Sequence, residues 1–141
     1  MSMNSLVVLA LLSTTMLPMM VIPGDSVSAQ PTGDAWQPLA RINPKQPYTI
    51  RINNRTGVTV EYASTTNEFS PRRVASGATA TLTRLPLPIY LLMSPATATS
   101  SLKLTVSANQ NTVTVNVEEL PEGAAGNTTV NIQQTGGIFV Y

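Results

Sequence analysis

Few residues of this chain could act as catalytic groups, because it contains neither histidine nor cysteine. Their absence excludes a Ser-His-Asp triad, a cysteine nucleophile, a blue-copper site and an ordinary zinc site. A Ser-Lys dyad would need Lys45 or Lys103, and a lysine acts as a base near neutral pH only where it is desolvated. Lys45 lies in a proline-rich segment and Lys103 alternates with apolar residues, so both are predicted to be solvated. The sequence thus predicts no enzyme and no cofactor.

The carboxylates are also poorly spaced for chemistry. Glu118 and Glu119 are adjacent, and adjacent residues of a strand point to opposite faces, so they make a poor acid/base pair. With Glu122 they could bind calcium, but the Asp-rich spacing of a calcium loop is missing. We therefore predict a solvated acidic loop and no metal site.

The N-terminal segment has the features of a signal peptide. Residues 6–12 and 16–22 are largely apolar, and Val27 and Ala29 stand three residues and one residue before a possible cut at Gln30. A retained membrane anchor is the alternative, although the apolar stretch is shorter than the ~20 residues that span a bilayer. Cleavage between Ala29 and Gln30 predicts an exported protein, periplasmic or extracellular. Membrane contact would then require an uncleaved leader.

Residues 30–47 are predicted to be a proline-rich arm or linker, because repeated prolines exclude a helix or a central strand. Trp36 and Leu39 are its large apolar candidates for packing onto the rest of the protein. Residues 48–141 form the predicted folded domain, in which the apolar period is two and no helical period appears.

Two β-hairpins are predicted in this domain. One pairs Ile52 with Val58 and Ile50 with Val60, and the other pairs Leu104 with Val115 around a four-residue loop. Two short strands flank Ser76-Gly77, and further strands follow over residues 128–133 and 138–141. The last strand could complete its own sheet or insert into a neighbouring subunit.

The segment LTRLPLPIYLLMSP, residues 82–95, is the least polar one after the leader. Its odd positions from 85 to 93 are all aliphatic and predict the core face of a strand, with Pro86 and Pro88 either where the chain enters the strand or along an unpaired edge. Tyr90 and Leu92 then lie on the outer face. They could be covered by the arm with Trp36 and Leu39, covered by a protein partner or a second copy, or left exposed.

Charge is uneven along the chain. Residues 41–84 carry seven arginines and lysines against two glutamates, with Arg72 and Arg73 adjacent. These two could face lipid headgroups, an acidic polysaccharide or an acidic partner, or they could guard a strand edge. The sequence pI of 8.1 lies below the value of about 9 that marks nucleic-acid-binding domains, so no nucleic acid is expected.

The stretch ASGATATLTRLP, residues 75–86, together with the short alternating strands, resembles small exported immunoglobulin-like β-sandwich proteins of bacteria at superfamily level. The resemblance implies an all-β, antiparallel sandwich of about seven to nine short strands, used for adhesion, assembly or scaffolding. The expected function is a non-catalytic structural or interaction module of the cell envelope or extracellular space. A small-ligand or glycan binder, with Trp36, Tyr62 and Tyr90 as stacking surfaces, is the alternative.

Overall fold

Extended segments account for all regular secondary structure in the part of the chain that a computed structural model describes, residues 37–97 and 100–141. The alternation of apolar and polar residues favours strands, because successive side chains of a strand point to opposite faces. The all-β prediction is confirmed for these residues. The strands are β1 (Ala40–Arg41), β2 (Thr49–Asn54), β3 (Val60–Ser64), β4 (Arg72–Val74), β5 (Thr79–Thr83), β6 (Ile89–Pro95), β7 (Ser101–Asn109), β8 (Thr112–Leu120), β9 (Thr129–Ile132) and β10 (Gly137–Val140).

The strands form two sheets that share one hydrophobic core. A six-stranded sheet has the order β1-β10-β9-β6-β3-β4, and a four-stranded sheet has the order β5-β2-β8-β7. Neighbours are antiparallel except β2 and β8, which run parallel. The arrangement is consistent with a β-sandwich, and the described residues contain one parallel pair and ten strands where about seven to nine antiparallel ones were expected. Both sheets contribute fully buried side chains to the core, among them Ile50, Ile52, Val113, Val115, Val60, Ile89, Leu91, Val130, Ile132 and Ile138.

Strand β6 confirms the prediction for residues 89–93, whereas Leu85 and Leu87 precede the strand and are only partly buried. Ile89, Leu91 and Met93 are buried in the core, whereas Tyr90 and Leu92 are exposed on the opposite face. The strand begins directly after Pro88, where the missing amide donor of proline does not interrupt a sheet ladder. Because β6 lies between β3 and β9, its outer face is central in the six-stranded sheet.

The first predicted hairpin is wrong, because β2 and β3 lie in different sheets. Asn54, which is 1% exposed, fixes the connection between them. Its side-chain amide nitrogen donates to Val58 O at 2.8 Å and to Val74 O at 2.9 Å, and its Oδ1 accepts from Thr56 N–H at 2.9 Å. The apolar residues point into the same core in either arrangement. Alternation alone therefore cannot distinguish a hairpin from a crossover between sheets.

The second predicted hairpin is confirmed, with a register shifted by two residues. Leu104 lies opposite Val117, and the loop is the two-residue turn Gln110-Asn111. Both turn residues have positive φ, 50° and 60°, as a type I′ turn requires. A shift of two residues keeps every side chain on its predicted face. The tail prediction is also confirmed: β9 and β10 form, and β10 completes its own sheet.

Residues 37–47 contribute more structure than the interpretation as an irregular arm suggests. They belong to the compact unit that begins at Gln37, Ala40–Arg41 forms β1, and Ile42 is buried. Asn43 N–H donates to Asn111 Oδ1 at 2.8 Å, and Asn111 Nδ2 donates to Asn43 O at 2.9 Å. Residues 37–47, the described part of the arm, are thus held to the β7–β8 turn. The predicted signal peptide 1–29, the cut between Ala29 and Gln30, and Trp36 lie outside the described residues.

Candidate interaction surface

The outer face of the six-stranded sheet gathers the exposed apolar side chains of the described residues. Tyr90 lies opposite Asn131, which lies opposite Phe139, and Leu92 lies opposite Thr129. Thr129 and Tyr141 exchange backbone hydrogen bonds at 3.0 and 3.2 Å, which places Tyr141 in the row of Leu92. Leu39, whose N–H donates to Ile138 O at 2.8 Å, lies at the β1 edge. We call these five apolar residues the outer stripe: Leu39, Tyr90, Leu92, Phe139 and Tyr141.

The outer stripe stands apart from the remaining surface. Its members Leu39, Tyr90, Leu92 and Tyr141 are 62, 41, 44 and 46% exposed, and no other large hydrophobic side chain in the described part of the chain is exposed. The outer face of the four-stranded sheet carries mostly threonine, serine and asparagine, such as Thr81, Thr114 and Ser107. Apolar side chains gathered on one face of a sheet are typical of a binding surface, whereas scattered ones are not.

Asn131 sits inside the outer stripe, between the register positions of Tyr90 and Phe139. It is 1% exposed although it belongs to the outer face. Its Nδ2 donates to Ile89 O at 3.2 Å, and its Oδ1 has no hydrogen-bond partner. Strand neighbours are about 4.8 Å apart, so the two flanking aromatic side chains are near enough to cover it.

Charged side chains form the rim of the stripe. Arg73 and Glu61 lie opposite each other on β4 and β3, on the outer face, and their side chains form an ion pair at 3.2 Å. Arg72 lies over the ring of Phe69, 5.1 Å from its centroid. At the other edge of the sheet, Arg41 lies opposite Gly137. The two adjacent arginines are therefore on a three-residue edge strand, the place where charges also discourage edge pairing.

The residues predicted from the sequence do not all come together. Tyr90 and Leu92 share the outer face, and Arg73 lies at its rim. Tyr62 is wrong as a stacking surface: it is buried in the core, and its ring packs against Phe69 with centroids 6.0 Å apart. The sequence interpretation missed Phe139 and Tyr141. Period-two alternation in the last strand could have found them, because Ile138 and Val140 occupy its core positions.

The candidate catalytic groups remain apart. Lys103 is exposed opposite Glu118, as predicted for a solvated lysine. The Glu119 carboxylate accepts hydrogen bonds from Gly57 N–H at 2.5 Å and from Ser100 Oγ at 3.1 Å, so it stabilises the loops beside the sheet. Within residues 37–97 and 100–141, no three His, Cys, Asp or Glu side chains are grouped as metal ligands. The same residues include no helix that is long and apolar enough to cross a membrane.

No protein-family model, curated protein or solved structure matches the chain. A stripe rich in aromatic and aliphatic side chains, bordered by charged residues, has the composition of a protein-binding surface.

Proposed function

We propose that this protein is an exported, non-catalytic interaction module with an immunoglobulin-like sandwich fold, and that the outer stripe binds a protein partner in the cell envelope or extracellular space. One observation carries the proposal: in the described residues, every exposed large hydrophobic side chain belongs to that stripe. Burying a leucine or an aromatic side chain contributes about 1.5–3 kcal/mol, so a few such residues suffice for specific binding.

The rim favours a protein partner over a lipid surface. Glu61 neutralises Arg73 at this edge, which weakens the attraction of the rim to an anionic membrane. A protein partner can match both signs of charge, since interfaces combine an apolar centre with a mixed polar rim. The stripe lies on a rigid sheet, so little conformational entropy is lost when it binds.

Replacing two stripe residues tests the proposal. The double variant Tyr90→Ser and Leu92→Thr is expected to weaken partner binding by roughly two orders of magnitude, about 3 kcal/mol, because two apolar side chains are lost from the interface. The measurement is the dissociation constant of the purified pair, after the partner has been captured from envelope extracts and identified. Because both side chains are exposed, the free energy of unfolding should stay within about 0.5 kcal/mol of the parent.

The matched control is the double variant Thr81→Ala and Thr114→Ala on the outer face of the other sheet, which should bind as the parent does. Equal binding by the stripe variant and the parent would refute the stripe as the interface. The proposal would also be refuted if the parent protein bound protein-free anionic vesicles and the stripe variant did not.

Export is tested at the chain's new N-terminus. Protein recovered from outside the cytoplasm is expected to begin at Gln30, because Val27 and Ala29 fit a signal-peptidase site. Mass spectrometry should find this terminus either as glutamine or in its cyclised form. Protein that stays in the membrane fraction with residues 1–29 still attached would instead show a retained anchor.

A further inference from the structure

A cavity of about 580 Å³ lies at one end of the sandwich, and none of its lining residues belongs to the outer stripe. One wall is the arm, with Pro44, Gln46 and Pro47, and the other is the connection between β5 and β6, with Arg84 and Pro86. The volume falls within the range of about 300–1,000 Å³ that small-molecule sites occupy.

Side-chain hydrogen bonds hold both walls in place. Asn111 Nδ2 donates to Asn43 O at 2.9 Å and to Pro47 O at 3.3 Å, which fixes the arm. The Tyr48 hydroxyl donates to Pro86 O at 3.0 Å, which fixes the opposite wall. Burial, with a smaller contribution from Glu68, raises the pKa of Tyr48 to about 12, so this hydroxyl keeps its proton. Prolines in both walls add stiffness, and the cavity is therefore largely formed before any ligand arrives.

Among the described residues, Arg84 is the one charged residue that lines the cavity. None of the carboxylates in the described part of the chain forms an ion pair with it. The exposed side-chain amides of Gln46 and Gln134 line the same space, and Leu85 and Leu87 add apolar surface. The lining thus combines one unneutralised guanidinium, neutral hydrogen-bonding groups and apolar walls.

We propose that this cavity binds a small organic carboxylate, with Arg84 as the anion-binding residue. A guanidinium matches the two oxygens of a carboxylate through parallel hydrogen bonds, and the two amides can bind polar substituents. One positive charge balances a monoanion, whereas phosphate sites usually add a cluster of backbone N–H groups. The prolines and leucines would pack against the apolar body of the ligand. This site is independent of the protein-binding stripe.

The backbone at Arg84 supports a role for its side chain. Its φ is 60°, in the left-handed region that costs a residue with a Cβ about 1–2 kcal/mol and costs glycine almost nothing. Glycine would therefore suit the turn better. The guanidinium is present at a position where the fold alone favours no side chain.

The variant Arg84→Gly separates binding from folding. In titrations of the full chain followed by NMR, benzoate should shift the side-chain amide signals of Gln46 and Gln134 saturably. The variant should bind benzoate at least ten-fold more weakly while its melting temperature stays equal or rises. Benzamide, the neutral counterpart, should bind neither protein tightly. A second pair of titrations compares glucuronate with glucose. It shows whether the site prefers an aryl carboxylate or a sugar carboxylate.

Three results would overturn the proposal: no saturable shift of the parent with either acid at millimolar concentration, equal affinity of the variant and the parent, or a response to inorganic phosphate alone. The variant Arg84→Lys should bind with intermediate affinity, because it keeps the charge and loses the paired hydrogen bonds. The stripe variant Tyr90→Ser and Leu92→Thr should bind benzoate as the parent does. Failure of this site and failure of the proposed partner binding are thus told apart.

Discussion

Replacing Gly136 with alanine is expected to lower the free energy of unfolding by more than about 4 kcal/mol, a loss that few single substitutions reach. Gly136 has a φ of 91°, and a Cβ there would overlap Ile42 O and lie 3.1 Å from Pro44 Cδ. Neither neighbour can move easily, because Ile42 N–H donates to Gly136 O at 3.0 Å and the Ile42 side chain is buried. The measurement is urea denaturation of the purified protein, with hydrogen exchange at the amides of Leu39 and Ile42.

The variant Gly77→Ala is the matched control for this prediction. Gly77 has a similar φ of 77°, but a Cβ there would meet no atom within 4 Å. The free energy of unfolding of the Gly77→Ala variant should therefore fall only by the cost of the left-handed backbone, about 1–2 kcal/mol. The difference between the two variants measures how closely the arm approaches the β9–β10 turn. Equal losses would show that the arm does not lie against Gly136 in solution.

Alternation of side chains made the core predictable. A strand with one buried face needs an apolar residue at every second position, and the aliphatic series at odd positions of residues 85–93 meets that need. The same rule placed Tyr90 and Leu92 on the outer face, where the structure has them. Which residues point inward is a local property of the strand, so the sequence carries it directly.

Strand partners were less predictable, because pairing depends on the turns between strands. The chain from β2 to β3 could close as a hairpin, but the side chain of Asn54 bonds three backbone groups and directs β3 into the other sheet. At the β7–β8 turn, Gln110 and Asn111 adopt positive φ without a glycine, which shortened the loop by two residues against expectation. Neither the crossover nor the shorter turn changes the alternation of buried and exposed side chains along the strands, so the pattern could not reveal them.

The binding surfaces required still more distant information. The outer stripe joins residues of β6 with Phe139 of β10 and Tyr141 after it, about 50 positions further along the chain. The cavity with Arg84 has the arm as one wall, and Asn111 ties that arm to the β7–β8 turn. Composition indicates neither feature, since both arise from the order of strands in the sheets.

The second large effect is expected at Asn54, where the variant Asn54→Ala should lower the free energy of unfolding by about 3–4 kcal/mol. The substitution leaves Val74 O and Thr56 N–H without the partners that they have in the buried connection. Val58 O keeps a hydrogen bond from Thr56 Oγ1 at 2.8 Å, which limits the loss. Urea denaturation with an unchanged m value would assign the effect to the folded state.

Asn53 provides the control, because it is the adjacent residue of the same strand and undergoes the same chemical change. Its side chain donates to Asn116 Oδ1 at 3.0 Å and accepts from Thr79 Oγ1 at 2.8 Å, on the solvent face of the sheet. Water can replace it there, so Asn53→Ala should cost less than about 1 kcal/mol. If both variants lost the same small amount, the buried bonds of Asn54 would not be what directs β3 away from β2.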